Sequence, residues 1–172
     1  MLDAAKFAEE FVTHVRQCPS GIVACSGCAA FESWFLVELA QMMSASNRFD
    51  TIRFSYNYPE SRGKADLMAE IREHRIVFEL KCFVLGADSN KLKAWPEQIE
   101  RLSHLLRDGH TRQCVAISTF SRYKREKLAG LLKSFHPLPW KVAGPYKFFE
   151  SEDAPLQLVV ATVNTEQVGI GA

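Results

Sequence analysis

Two neighbouring segments in the middle of the chain alternate apolar and polar residues, and this alternation constrains the fold more than any other feature. From Arg75 to Val84 the even positions are apolar, and from Lys64 to Ile71 the odd positions are apolar. Because a strand turns successive side chains to opposite faces, each segment is predicted to be a β-strand with one apolar face. The short polar stretch between them predicts a hairpin with its turn at Glu73-His74.

The polar faces of these two predicted strands bring three charged side chains together. With that turn, Asp66 stands opposite Lys81, and Asp66 and Glu79 become diagonal neighbours at roughly 7–8 Å. A register changed by one residue would turn Asp66 to the apolar side, so the hydrophobic pattern favours this arrangement. Two carboxylates beside a lysine suit Mg²⁺ or Mn²⁺, because such ions take oxygen ligands and act on phosphoryl groups. From the spacing alone, a surface salt-bridge cluster explains the same residues.

The rest of the chain alternates between helical and strand patterns, which predicts an α/β fold with a central mixed sheet flanked by helices. The predicted helices are 4–15, 29–44, 97–107 and 123–135, and the further strands are 51–58, 113–119, 140–149 and 156–163. A length of 172 residues is typical of one domain. No nucleophile motif, P-loop or dinucleotide fingerprint is present.

The three charged residues resemble the motif of the PD-(D/E)XK nuclease superfamily, which has the restriction-endonuclease-like fold. Asp66 is followed by twelve residues and then by Glu79-Leu80-Lys81 at the end of an apolar strand. The predicted elements also follow the family's order of helix, three strands, helix and strand. The resemblance therefore implies an αβββαβ core at about 29–120 within a single domain, 1–172. The segments outside this core are the helix 4–15 and the helix and strands at 122–165.

The resemblance also implies an activity and a set of roles. It implies a phosphodiesterase that hydrolyses DNA with Mg²⁺ or Mn²⁺ as cofactor, acting as an endo- or exodeoxyribonuclease. Asp66 and Glu79 would bind the metal, and Lys81 would assist the attacking water. Ala65 stands where the family motif has proline.

Members of the family carry a glutamate on the first core helix, and this chain has two candidates for it. Glu32 is preferred because it precedes a run of apolar residues, as the family acid does. Glu38 lies beside Phe35 and Met42 in helical spacing and could also turn inward. Gln98 resembles a helix glutamine found near the site in some members, although an exposed helical glutamine is the more common explanation.

Basic residues near the predicted site are candidate contacts to nucleic-acid phosphates. They lie in the loop before Asp66, beyond Lys81 and in the late basic helix, for which a solvated face is an equal alternative. The candidates are Arg62, Lys64, Lys91, Lys93, Arg122, Lys124 and Arg125. DNA is the expected partner, and the sequence does not separate it from RNA. A net charge of +1 is compatible with such a partner, because an acidic site offsets the basic segments.

The remaining patterns bear on location and on metals other than magnesium. Five cysteines, an apolar content without a membrane-length run and a start without a signal-peptide core predict a cytoplasmic protein. Cys18, Cys25 and Cys28, with His14 nearby, lack the second ligand pair of most zinc sites, so a turn is preferred there.

Two other functions fit the same sequence. One is a catalytically inactive relative that keeps the fold as an interaction module. The other is an α/β domain that binds a small molecule or a protein, with the charged trio an accidental cluster. A homodimer is compatible with the nuclease reading, since one site cuts one strand, but no sequence feature indicates it.

Overall fold

The fold is seen in a computed structural model that describes residues 1–25, 31–58, 63–83, 89–121, 130, 132–133, 135–136, 139–150 and 156–169. The helices are α1 (Ala4–Arg16), α2 (Pro19–Cys25), α3 (Phe31–Ala45) and α4 (Ser89–His104), and a 3-10 turn follows at Leu105–Arg107. The strands are β1 (Thr51–Asn57), β2 (Lys64–Ile71), β3 (His74–Phe83), β4 (Thr111–Ser121), β5 (Lys141–Phe149) and β6 (Leu156–Asn164).

The six strands form one mixed sheet in the order β1-β2-β3-β4-β6-β5. Strands β3 and β4 are parallel, and every other neighbouring pair is antiparallel. Helix α4 connects the two parallel strands, since a parallel pair needs a crossover rather than a hairpin. The predicted α/β class, with a central mixed sheet flanked by helices, is confirmed.

Each face of the sheet is covered by its own apolar layer. The α1–α3 layer joins helices α1 and α3 to one face, and its largest residues include Phe7, Phe11, Phe31, Phe35, Leu39, Met43, Leu67 and Phe78. The α4 layer covers the other face, and its residues include Tyr58, Ala65, Met68, Val77, Phe83, Trp95, Ile99 and Leu102. Ring contacts fix both layers: Phe11 and Phe35 are 4.7 Å apart between centroids, and Phe83 and Trp95 are 6.1 Å apart.

The hairpin between β2 and β3 turns one residue earlier than the sequence predicts. Ile71 pairs with His74, so the turn is formed by Arg72 and Glu73. Both have positive φ, 47° and 69°, as in a type I′ turn. The predicted turn was wrong because I′ turns favour Asn and Gly, and neither is present to mark the position. The register therefore moves by two residues, which leaves side chains on their predicted faces.

Two helical segments differ from the predictions. Helix α2 occupies a stretch predicted to be a break, because Pro19 stands at its first residue, where proline is favoured. Helix α4 begins at Ser89 rather than 97 and continues through Pro96. Proline normally interrupts a helix, but Trp95 and Ile99 are buried in the α4 layer on either side of it.

The other predicted strands are confirmed to within two residues at each end, at β1, β4, β5 and β6. Most of the predicted basic helix, including 123–129, lies outside the described residues, and Gly130, Leu132 and Lys133 within it are helical. Among the described helices, none has the length and apolar character needed to cross a membrane.

Candidate active site

The candidate site lies where β2 stops pairing with β3. Their paired residues end at Leu67 and Phe78, although β3 continues to Phe83. The next residue along each strand is Asp66 on β2 and Glu79 on β3. The two acids therefore stand at the point where the strands part. In the observed register their positions are directly across from each other, whereas the predicted register made them diagonal neighbours.

The pairing of β2 with β1, its neighbour on the side away from β3, is also interrupted at Asp66. The paired residues of β1 and β2 pass from Phe54 and Leu67 to Tyr56 and Ala65, and Ser55 between them has a φ of 56°. Leu67 packs in the α1–α3 layer, whereas Ala65 packs in the α4 layer. The prediction that Ala65 shares the face of Leu67 was wrong, because strand alternation breaks at Asp66. The register of β1 and β2 is the same before and after this point, so no extra residue is inserted and only the faces change.

The Asp66 side chain fills the gap left by the departing strand. Its Oδ2 accepts a hydrogen bond of 2.7 Å from the backbone N–H of Leu80. That N–H would otherwise need a strand carbonyl or water, since buried backbone donors are nearly always paired. The carboxylate of Asp66 is thus fixed against β3 by a backbone contact.

Glu32, in the first turn of α3, occupies the next position along the same edge. Its Oε2 accepts a 3.0 Å hydrogen bond from the N–H of Cys82, and its Oε1 lies 3.4 Å from Nζ of Lys81. Two N–H groups of β3 are therefore bonded by carboxylates instead of by a neighbouring strand. The structure brings Glu32, the helix acid preferred from the sequence, to Lys81.

Glu38, the alternative helix acid, lies elsewhere. Its Oε2 is 3.0 Å from Nε2 of His14 and accepts a 3.7 Å contact from Sγ of Cys18. This partly buried cluster joins α1 to α3 and does not include Lys81. Cys18 is free, the side chain of Cys25 and all of Cys28 lie outside the described residues, and burial raises the pKa of the Cys18 thiol.

Glu79 is held by a residue that the sequence did not identify. The hydroxyl of Tyr58 donates a 3.2 Å hydrogen bond to Oε2 of Glu79, and both residues are buried. Tyr58 directly follows β1 and packs in the α4 layer. Simple alternation along β1 gives no sign of this contact, because the change of face at Ser55 has no glycine to mark it.

Burial makes the ionised form of both acids costly. It raises the pKa of Glu79 to about 8, with a further increase from the charge of Asp66 and a partial offset from Lys81 and the Tyr58 hydroxyl. Burial likewise raises the pKa of Asp66, against the opposing effects of the Leu80 N–H and Lys81. The Tyr58 hydroxyl also has a raised pKa, through burial and the nearby Glu79 charge, so it remains a donor. A cation between the two carboxylates would remove most of this cost.

The donor set fits a magnesium-type ion. Within the described chain, Oδ1 of Asp66 and Oε1 of Glu79 make no hydrogen bond, while the other oxygen of each acid is fixed. Mg²⁺ is usually held by one or two carboxylates, with water and substrate phosphate completing its shell. No group of three or more His, Cys, Asp or Glu side chains suited to a metal occurs among the described residues. In the described chain, Asp66 and Glu79 would therefore supply two carboxylate ligands, and water or substrate would supply the others.

The structure describes only some of the residues predicted to contact nucleic acid. Lys64 and Lys93 are exposed. Gln98 lies on α4 between Trp95 and Leu102, and its Oε1 is buried with no hydrogen bond in the described part of the chain. The side chain of Lys91, and the whole of Arg62, Arg122, Lys124 and Arg125, lie outside the described residues.

The chain matches no protein-family model, no curated protein and no solved structure. Its chemistry is therefore inferred from the arrangement of its own residues.

Proposed function

We propose that the chain is a metal-dependent nuclease that hydrolyses DNA phosphodiester bonds. The observation that carries this proposal is the pair of acids where β2 leaves β3, Glu79 buried and Asp66 partly buried, each with one fixed oxygen and one available oxygen. The order α3-β1-β2-β3-α4-β4, with β3 and β4 parallel, supports the resemblance to the restriction-endonuclease-like fold.

In this proposal Asp66 and Glu79 would hold Mg²⁺ or Mn²⁺, and each has one oxygen without a hydrogen bond in the described chain. When bound, such an ion polarises a phosphoryl oxygen and lowers the pKa of a water molecule. The protein's own contribution is orientation. The Leu80 N–H fixes Asp66, the Tyr58 hydroxyl fixes Glu79, and burial raises the pKa of both acids, so that a bound cation would offset the cost of ionising them.

Lys81 supplies positive charge beside the acids. Its side chain is only 16% exposed, and Glu32 lies 3.4 Å from its Nζ. An ammonium held in this way can orient the attacking water and stabilise charge that develops on the phosphate. Because both Glu32 oxygens contact β3 or Lys81, Glu32 acts through Lys81 as a positioning residue rather than as a third metal ligand.

The nucleic-acid substrate follows from the family resemblance, since a fold does not by itself fix a function. Exposed Lys64, immediately before the irregular part of β2, is the described basic residue nearest in sequence to Asp66. DNA is the proposed substrate, and RNA is included in the test as a competing outcome.

Cleavage assays test the proposal directly. Plasmid, linear duplex, single-stranded DNA and RNA would be incubated with wild-type protein in Mg²⁺, Mn²⁺ or EDTA. We expect metal-dependent DNA cleavage that falls by about 100-fold or more in Asp66→Asn and Lys81→Met, because the first removes charge that would hold the metal and the second removes charge beside the reacting phosphate. Glu70→Gln, on the same strand β2, is the matched control and should retain cleavage.

Cleavage that persists in both site variants, or in EDTA, would contradict the proposal. Folded wild-type protein without any cleavage would favour the alternative of an inactive interaction module. Circular dichroism of each variant separates loss of activity from loss of fold.

A further inference from the structure

Tyr58 is held firmly from two sides. Its backbone N–H donates a 3.2 Å hydrogen bond to the carbonyl of Gly63, and its side chain is 8% exposed. A Cβ added at Gly63 would lie 3.4 Å from Cδ2 of the Tyr58 ring and 3.1 Å from Nη1 of Arg101. Gly63 has a φ of 138°, a backbone conformation that favours glycine, and it lies against the Tyr58 ring at the start of β2.

The course of β1 brings Tyr58 to the correct face of the sheet. Ile52 packs against the α1–α3 layer, whereas Tyr56 packs against the α4 layer. The strand changes face between them at Ser55, which has positive φ. Unbroken alternation would have turned Tyr56 and Tyr58 to the α1–α3 side, away from Glu79. The irregularity thus serves to place the Tyr58 hydroxyl at the acidic pair.

The hydroxyl then determines which oxygen of Glu79 is free. Tyr58 donates to Oε2 at 3.2 Å, and Oε1 makes no hydrogen bond within the described chain. A glutamate has three side-chain torsions, and a fixed oxygen restricts them. Partners of this kind orient metal-binding carboxylates, and their loss typically weakens metal affinity by about 10–100-fold.

We infer that Tyr58 is a positioning residue that aims Oε1 of Glu79 at the metal. This inference rests on the proposed function, because it needs Glu79 to be a metal ligand. It adds Tyr58 to the functional residues Asp66, Glu79 and Lys81.

Calorimetric titration with Mn²⁺ tests the inference without any nucleic acid. Tyr58→Phe keeps the ring and removes only the hydroxyl, and we expect Mn²⁺ to bind it about 10–100-fold more weakly than wild type. Tyr56→Phe is the matched control. Its hydroxyl accepts a 3.1 Å hydrogen bond from Arg75 and bonds to neither Asp66 nor Glu79 in the described chain, so the Mn²⁺ affinity of this variant should be unchanged.

A second readout separates positioning from general damage. Cleavage by Tyr58→Phe should return toward the wild-type rate as Mn²⁺ is raised, with the KM for DNA unchanged. Equal Mn²⁺ affinity in wild type and Tyr58→Phe would overturn the role of Tyr58 and leave the metal site standing. Absence of Mn²⁺ binding in the wild type would overturn the proposed metal site, and the role of Tyr58 with it.

Discussion

At the scale of single residues, the site is defined by how each carboxylate is held. Asp66 is bonded to a backbone N–H, Glu79 to a phenol and Glu32 to both a backbone N–H and an ammonium. The hydrogen bonds from Leu80 and Tyr58 offset part of the increase in pKa that burial causes at Asp66 and Glu79. The pKa of Glu79 still rises to about 8. In the absence of metal, the pair therefore retains a proton at neutral pH.

The stability of the metal-free protein should depend on pH through Glu79. The folded protein holds this proton up to about pH 8, whereas the unfolded chain releases it near the ordinary value of 4.5. Between these values the folded state binds more protons, so the free energy of unfolding should fall as pH rises. The slope is at most about 1.4 kcal/mol per pH unit.

Glu79→Gln should flatten this decline, because glutamine does not titrate and can still accept from Tyr58. Urea unfolding in EDTA from pH 5 to 9 measures the effect. Glu100→Gln, an exposed position on α4, is the control and should follow the wild-type curve. A Glu79→Gln protein that loses stability with pH as steeply as wild type would contradict the raised pKa.

At the scale of secondary-structure elements, alternation predicted the strands and the faces of most of their residues, but not the face of Ala65, which depends on local backbone geometry. The face of Glu79 and Lys81 was predictable because a two-residue error in register leaves it unchanged. The turn at Arg72-Glu73 and the irregularity at Ser55 were not, since these residues adopt positive φ without glycine or asparagine. Tyr58 was missed for the same reason.

Because Ser55 has positive φ, the effect of substitutions there on stability should differ from the effect at an ordinary strand position. Positive φ costs a residue with a Cβ roughly 1–2 kcal/mol, and more if it is β-branched. We expect Ser55→Gly to be at least as stable as wild type and Ser55→Val to lose about 1–2 kcal/mol. Urea unfolding measures both variants.

Arg53, an exposed residue on the same strand, provides the comparison. There the order should reverse, because valine favours an ordinary strand and glycine weakens it. A Ser55→Val protein more stable than Ser55→Gly would contradict the assigned backbone conformation.

At the scale of the whole molecule, the site draws on both sides of the sheet. Helix α3 supplies Glu32 from the α1–α3 side, and Tyr58 reaches Glu79 from the α4 side. Both contact the part of β3 that lies beyond its pairing with β2. The alternating helical and strand patterns predicted the layered α/β class, but not this junction or the strand order β4-β6-β5. Those depend on contacts between segments far apart in sequence, for which one chain carries no local signal.

The central claim is that Asp66 and Glu79 together hold a divalent cation. Crystals soaked in Mn²⁺ and measured for anomalous scattering test it most directly. The account predicts a peak between the two acids, about 2.1 Å from Oδ1 of Asp66 and from Oε1 of Glu79, which disappears in Asp66→Asn crystals. Soaked crystals with no peak at these carboxylates, or with Mn²⁺ bound only elsewhere, would contradict it.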